Sequence, residues 1–157
     1  MLYVVAWPIL SEADDAALRR LRAQYHPAEA NLIGPHFTLV FGASESREDE
    51  MRAALAAVMQ RPFWFMVYRI VRDDLYLYAE PSDGAAELHA LYEAFNPAGG
   101  FEPHITLGRF AGAAEAERIA RIVSRQHLPM RGRIEELSLL KRQGDALETL
   151  EGVRLGD

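Results

Sequence analysis

The strongest constraint on the fold of this chain is a short phrase that occurs twice. Residues 35–39 read Pro-His-Phe-Thr-Leu, and residues 103–107 read Pro-His-Ile-Thr-Leu. Side chains alternate between the two faces of a β-strand, so the His and Thr of each copy share one face and their apolar neighbours share the other. Each copy therefore predicts a strand with an imidazole and a hydroxyl on one side and core contacts on the other.

The same series of elements follows each copy. The patterns predict a helix over about 47–60 and a hairpin over 63–79 after the first, then a helix over about 113–126 and a hairpin over 132–153 after the second. A strand over 2–7 and a helix opened by Ser11 come first, and the stretch 26–35 reads as a loop. A further helix that starts at 81–84 lies between the first hairpin and the second motif. This duplication predicts one bilobal α+β domain over 1–157. Its two lobes of antiparallel sheet, related by a pseudo-twofold axis, would carry outer helices and flank a central cleft with the motif strands.

Composition narrows the classes of function. The chain contains no cysteine, which excludes disulfides and thiolate metal ligands and fits a cytoplasmic protein. No apolar run approaches the roughly 20 residues that span a bilayer, so no membrane partner is expected. The net charge of −6 argues against binding of long nucleic acid, which needs a basic face. A local basic patch is still compatible with this net charge. The expected protein is a monomer that acts on a small nucleotide or an RNA end.

Two such motifs in this element order resemble the two-histidine (2H) phosphoesterase superfamily, which includes LigT-like RNA 2′,3′-cyclic phosphodiesterases, also known as 2′,5′ RNA ligases. The stretch 36–42, His-Phe-Thr-Leu-Val-Phe-Gly, is similar to the first motif of that family. The stretch 103–109, Pro-His-Ile-Thr-Leu-Gly-Arg, is similar to the second. The resemblance covers nearly the whole chain. It implies cleavage or formation of a phosphodiester bond at a ribose 2′ position without a metal or another cofactor.

The residue types of the two motifs suit this chemistry. An in-line displacement at phosphorus needs a base and an acid on opposite sides, and histidine, with a pKa near ~6.5, can serve as either. Thr38 and Thr106 would donate hydrogen bonds to the non-bridging oxygens, where charge builds in the transition state. By the resemblance, His104 is the base on water and His36 is the acid on the leaving ribose oxygen. The sequence alone leaves these two roles exchangeable, and they reverse in the synthetic direction.

Contacts to the rest of the substrate are predicted from cations and rings elsewhere. Lys141 and Arg142 are candidates to bind phosphate, and Tyr3 is a candidate platform for a base, with Trp7 and Tyr68 as alternatives. Arg109 ranks below Lys141, because on an unbroken strand it would point away from the face that carries Thr106. Members of the resembled family often place a Ser on the penultimate strand and a Tyr on the last, whereas this chain has Lys141-Arg142 and Leu147 in that region.

Other candidate residues are predicted to be structural. The remaining histidines have no repeated pattern and are predicted to have surface or capping roles: His26, His89 and His127. Aromatic residues of the first hairpin and its neighbouring strand are predicted to pack in the core: Phe63, Trp64, Phe65, Tyr76 and Tyr78. Two His and two Thr make a poor ligand set for zinc, so no metal site is expected.

Three functions remain open at this stage. The first is hydrolysis of a 2′,3′-cyclic phosphate to a 2′-phosphate by paired-histidine acid–base catalysis. The second is ligation or cleavage of a 2′,5′ RNA linkage with the same groups. The third is a non-catalytic member of the fold that binds a nucleotide, which the presence of both histidines and both threonines disfavours.

Overall fold

The computed structural model describes residues 1–100 and 102–156, and these residues form seven strands and five helices. In chain order the elements are β1 (Leu2–Leu10), α1 (Glu12–Tyr25), α2 (Pro27–Leu32), β2 (Phe37–Ala43), α3 (Glu48–Ala56), β3 (Phe63–Asp73), β4 (Tyr76–Pro81), α4 (Ala85–Phe95), β5 (Ile105–Arg109), α5 (Ala113–His127), β6 (Met130–Gln143) and β7 (Ala146–Arg154). A 3-10 turn, Glu45–Arg47, precedes α3. The predicted order of strands and helices is confirmed, with α2 as the one added helix.

The first two helices show what local signals do and do not reveal. Ser11 caps α1, where its Oγ accepts a hydrogen bond from the backbone N–H of Asp14 at 3.1 Å, as the sequence spacing predicts. The prediction of a loop over 26–35 is wrong for Pro27–Leu32, which form α2. Pro27 occupies the first turn of that helix, where its fixed φ is suitable and its missing N–H removes no hydrogen bond.

All seven strands belong to one antiparallel sheet. Their order is β1-β2-β5-β4-β3-β6-β7, and β6 also pairs with β1, so the pairing runs as a ring through six strands. The length of β6 makes this closure possible, because its residues 130–134 pair with β3 and its residues 136–143 pair with β7. The predicted α+β class, with antiparallel strands and packed helices, is confirmed.

The two motif strands are neighbours in this ring. Phe37 of β2 faces Ile105 of β5 in an antiparallel ladder. On their outer sides, β2 pairs with β1 and β5 pairs with β4. Two phrases that are far apart in the sequence therefore lie side by side in the sheet.

The apolar residues of the motifs face the core. Phe37, Leu39, Ile105 and Leu107 are all buried in one large cluster, to which the helices contribute Leu18, Met51, Leu88 and Ile119. The strand residues between these positions point to the other face of the sheet, which we call the site face. A smaller cluster on the site face contains Val5, Ile33 and Leu140.

Candidate active site

The backbone holds both motif histidines in the same way. His36 Nδ1 lies 2.8 Å from the carbonyl oxygen of Gly34, and His104 Nδ1 lies 2.9 Å from the carbonyl oxygen of Glu102. A carbonyl oxygen can only accept, so each Nδ1 donates the hydrogen bond and the basic lone pair of each neutral ring is on Nε2. These bonds fix the tautomer and the orientation of both rings, as acid–base catalysis requires.

The strand register brings the four polar motif residues together. Phe37 faces Ile105 in an antiparallel ladder, and each histidine immediately precedes its strand. Continued by one residue in each direction, this register would set Thr38 opposite His104 and His36 opposite Thr106. Directly opposed residues on antiparallel strands have Cβ atoms about 4.5–5.5 Å apart. The charge of His104 is also one of the factors that lower the pKa of His36, as expected for neighbouring rings. We call these four residues the His-Thr block.

Burial controls the protonation of the two imidazoles. Loss of hydration lowers the pKa of both His36 and His104, and the hydrogen bonds to the backbone carbonyls offset part of that effect. The Arg22 guanidinium lowers the pKa of His36 further, while the carboxylate of Glu80 acts in the opposite direction on His104. Both rings are therefore predominantly neutral at neutral pH in the free protein.

Each motif histidine has an aromatic neighbour. The Tyr78 ring lies 4.0 Å from the His104 ring, centroid to centroid, at a tilt of 31°. The Trp7 ring lies 6.4 Å from the His36 ring and meets it edge-on. Trp7 Nε1 donates a hydrogen bond to Ser138 Oγ at 2.9 Å, which fixes the indole. These rings restrict the movement of the imidazoles.

The prediction that five aromatic residues pack in the core is confirmed only in part. Phe63 and Phe65 are buried in the core cluster. The prediction is wrong for Trp64, which is about half exposed, and for Tyr76 and Tyr78, because the residues next to them on β4 occupy the core positions. The alternation Tyr-Leu-Tyr-Ala over 76–79 is a signal that could have revealed this.

Sequence reasoning missed one charged residue that joins the two motif segments. Arg22 of α1 is only 1% exposed. Its Nη2 donates to the carbonyl oxygen of Ile33 at 2.6 Å, and its Nη1 donates to the carbonyl oxygen of Thr106 at 3.3 Å. Arg22 thereby ties the segment before the first motif to the second motif strand. The available signal was its position four residues after Leu18, on the apolar side of the helix.

A small pocket of about 80 Å³ opens beside the first motif. His36, Thr38, Tyr3 and Arg142 line it, together with Val5, Glu29, Leu32, Ile33, Phe41, Leu140 and Leu147. Phe41 is 80% exposed at its rim and meets the Tyr3 ring edge-on at 5.4 Å. The structure therefore places Tyr3 and Arg142, two of the predicted substrate contacts, next to the first half of the His-Thr block.

The third predicted contact, Lys141, does not lie in the pocket. The pairing of β6 with β1 sets residue 140 opposite Tyr3 and Lys141 opposite Leu2, so Lys141 lies on the face opposite the pocket. Its Nζ forms an ion pair with Glu45 at 3.0 Å. Lys141 is thus a correction to the predicted site, and its sequence neighbour Arg142 takes the position in the pocket.

Arg109, which was predicted to point away from the face that carries Thr106, lies on that face. The pairing of β4 with β5 sets Tyr78 opposite Thr106 but Leu77 opposite Gly108, so β5 contains one extra residue at this point. Such a bulge reverses the alternation that follows it. Arg109 therefore returns to the site face, where its guanidinium lies 5.9 Å from the centroid of the Tyr76 ring.

The other three histidines lie outside the His-Thr block. His127 Nδ1 lies 3.2 Å from Asp14 Oδ1, and His89 Nε2 lies 3.8 Å from Glu102 Oε2. His26 stands at the junction of α1 and α2, as the C-cap of one and the N-cap of the other. His26 occupies both cap positions through its backbone, and its side chain makes no capping hydrogen bond, so the predicted surface or capping role of this side chain stays a prediction.

Two kinds of feature are absent from residues 1–100 and 102–156. Within that range, no three His, Cys, Asp or Glu side chains converge in the way that a metal site requires. In the same range, no helix has the length and apolar character needed to cross a membrane.

Comparison with known proteins gives one family and several similar structures. A family model described as the 2'-5' RNA ligase superfamily matches residues 10–146. No curated protein sequence matches the chain significantly. E. coli LigT complexed with 3'-AMP has a TM-score of 0.62 at 19% identity, covering 99% of this chain and 98% of that chain. E. coli LigT in apo form gives 0.64 at 18%, covering 99% and 97%, and the protein TT0787 of Thermus thermophilus gives 0.56 at 19%, covering 98% and 97%.

Proposed function

Because the chain belongs to the 2'-5' RNA ligase superfamily, we propose that it hydrolyses a 2′,3′-cyclic phosphate, on a nucleotide or an RNA end, to a 2′-phosphate without a metal ion. This membership also confirms the resemblance of the two motifs to the two-histidine phosphoesterases. The observation that carries the proposal is the His-Thr block, in which two rings of fixed tautomer stand at the starts of adjacent strands and two hydroxyls lie on those strands.

Each atom of the proposed reaction is accounted for by these groups. Nε2 of His104 takes a proton from water, and the water oxygen attacks phosphorus. The bond from phosphorus to the ribose 3′ oxygen breaks, and His36, protonated at Nε2, donates its proton to that oxygen. Thr38 and Thr106 donate hydrogen bonds to the non-bridging oxygens as their charge increases. The products are a 2′-phosphate and a free 3′ hydroxyl.

The pocket beside His36 suits the nucleoside part of such a substrate. Its enclosed part is small, about 80 Å³, so a nucleoside would lie along its open rim rather than inside it. Tyr3 and Phe41 supply apolar ring surface, and Arg142 supplies a guanidinium that would face a phosphate. E. coli LigT has been crystallised with 3'-AMP, with ATP and with NADP+, which supports a nucleotide as the ligand class of the shared fold.

We expect the pH profile of kcat/KM to be bell-shaped, with its maximum below about pH 6.5. The rate rises as the base loses its proton and falls as the acid loses its own. Burial lowers the pKa of both His36 and His104, so both limbs shift to the acid side. Bound phosphate favours protonated His36, so the basic limb of kcat should lie at higher pH than that of kcat/KM. Initial rates from about pH 4.5 to 8.5 check this, and a flat profile above neutrality would contradict it.

The proposed function is tested directly with nucleoside 2′,3′-cyclic monophosphates in the presence of EDTA. Phosphorus NMR distinguishes the expected 2′-phosphate from a 3′-phosphate. Activity that EDTA removes would contradict the metal-independent mechanism. Turnover of a 2′,5′-linked dinucleotide, or joining of RNA halves, without turnover of cyclic phosphates would favour the ligase alternative. Binding of the nucleotide with no turnover of any substrate would favour the non-catalytic alternative.

A further inference from the structure

A second surface on the site face combines exposed side chains with arginines. Ile9 is 51% exposed, Trp64 is 49% exposed and Tyr68 is 55% exposed. The guanidinium carbon of Arg131 lies 3.9 Å from the centroid of the Trp64 ring, and that of Arg133 lies 5.1 Å from it. We call these five residues the Trp64 patch.

The strand register connects the Trp64 patch to the His-Thr block. The ladder of β1 and β2 sets Trp7 next to His36, and Ile9 follows two residues later on the same face. Ile9 is paired with Arg133 across β1 and β6, and Arg133 is paired with Trp64 across β6 and β3. With strands about 4.8 Å apart and residues about 3.4 Å apart along each strand, Trp64 lies about 15 Å from His36 along the sheet. A few nucleotides of extended chain span that distance.

Several arginines lie in or beside the Trp64 patch, although the whole chain carries a net charge of −6. Arg133 forms an ion pair with Glu135 at 2.7 Å, and Arg69, next to Tyr68, pairs with Glu80. Arg131 has no carboxylate partner among the residues that the structure describes. The same holds for Arg154, which lines a groove beside Arg133. These guanidinium groups are available to an anionic partner, and an apolar protein face would leave them without one.

We propose that the Trp64 patch binds the single-stranded RNA that leads to the cyclic phosphate in the His-Thr block. This inference rests on the proposed function and makes an RNA end, rather than a free mononucleotide, the substrate. Bases of single strands stack on aromatic rings and on guanidinium planes, and Trp64 with Arg131 offers both. The free charge of Arg131 meets the phosphates between those bases. A mononucleotide held at His36 would not reach the patch.

The test compares two substrates with the same reactive group. One is a nucleoside 2′,3′-cyclic monophosphate, and the other is an RNA of about ten nucleotides that ends in the same cyclic phosphate. Trp64→Ala and Arg131→Ala are expected to raise KM for the RNA about tenfold and to leave kcat/KM for the mononucleotide unchanged. Arg131→Ala should also make the salt dependence of RNA binding less steep by about 0.7–1 in log–log slope. Met59→Ala and Arg121→Ala, at exposed positions outside the patch, are the matched controls.

Several outcomes would overturn the inference. If the two variants change the kinetics of RNA and of the mononucleotide equally, or change neither, the patch has no role in binding the RNA chain. If the protein self-associates in sedimentation experiments, and Trp64→Ala abolishes this self-association but leaves RNA binding unchanged, the patch is a contact between protein chains. If no cyclic phosphate is hydrolysed, the proposed function fails separately, and the Kd of a 5′-labelled RNA still tests the patch. Melting curves check the folding of Trp64→Ala, and Arg131→Ala provides an independent second variant.

Discussion

Alanine in place of either motif histidine is expected to lower kcat for hydrolysis of a 2′,3′-cyclic phosphate by about 10²–10⁴-fold. His36→Ala removes the proton donor to the leaving 3′ oxygen, and His104→Ala removes the base that takes a proton from water. The kcat of the double variant should be only slightly lower than that of the less active single variant, because both rings act in the same step. Steady-state rates with a cyclic mononucleotide, followed by chromatography of the products, check these expectations.

The matched control for this experiment is His127→Gln. His127 lies outside the His-Thr block and contacts Asp14 through Nδ1, a contact that a glutamine amide can replace. We expect this variant to keep the wild-type kcat. If His36→Ala and His104→Ala both hydrolyse the substrate as fast as His127→Gln, the two histidines are not the acid and the base. Melting curves of all three variants separate a loss of chemistry from a loss of folding.

Replacing Arg22 with methionine is expected to lower the free energy of unfolding by about 2–4 kcal/mol and to lower kcat as well. The substitution leaves the buried carbonyl oxygens of Ile33 and Thr106 without their charged donor. Burial lowers the pKa of Arg22, which shows that its charge loses hydration on folding, so part of the lost bonding is offset. Urea denaturation measures the change in stability. Arg20→Met, on the exposed side of the same helix, is the control and should be close to neutral.

The pH profile shows whether Arg22 positions the chemistry or only stabilises the fold. Its charge lowers the pKa of His36, so Arg22→Met should raise that pKa. The basic limb of kcat/KM, which follows the protonated acid, should then move to higher pH. Arg22→Lys keeps the charge and should restore the position of this limb, although one ammonium group cannot reproduce the fork that meets both carbonyls. A loss of stability with kcat and the pH limb unchanged would show that Arg22 is only structural.

Much of the fold was predictable because its signals are local. The alternation of side chains in each motif predicted which residues face the core, and Phe37, Leu39, Ile105 and Leu107 are all buried there. The cap of α1 at Ser11 was likewise readable from a spacing of three residues. The helix α2 was missed because its six residues, which begin at Pro27, resemble a turn, and a helix that short depends on tertiary packing.

The errors in the predicted site have a common cause. Arg109 was assigned to the opposite face by counting along an assumed regular strand, and Lys141 was chosen as a nearby cation without knowledge of its face. Pairing with β1 sends Lys141 to the opposite face, and a bulge in β5 returns Arg109 to the site face. Register and bulges depend on which strand lies alongside, and here the partners come from distant parts of the sequence. Counting residues within one strand cannot supply that information.

The sequence by itself determined the two His-x-Thr strands, the side chains that each presents, the element order and the family resemblance. These follow from backbone alternation and from short-range signals that each segment carries alone. Only the tertiary structure decided that β2 and β5 are neighbours, that Arg22 is buried between the two motif segments and that Tyr78 stacks on His104. Only the tertiary structure likewise places Trp64 on the same face as His36, at the end of a path over the four strands β2, β1, β6 and β3. The physical reason is that these contacts arise from the closure of the sheet, which joins residues that no local pattern relates.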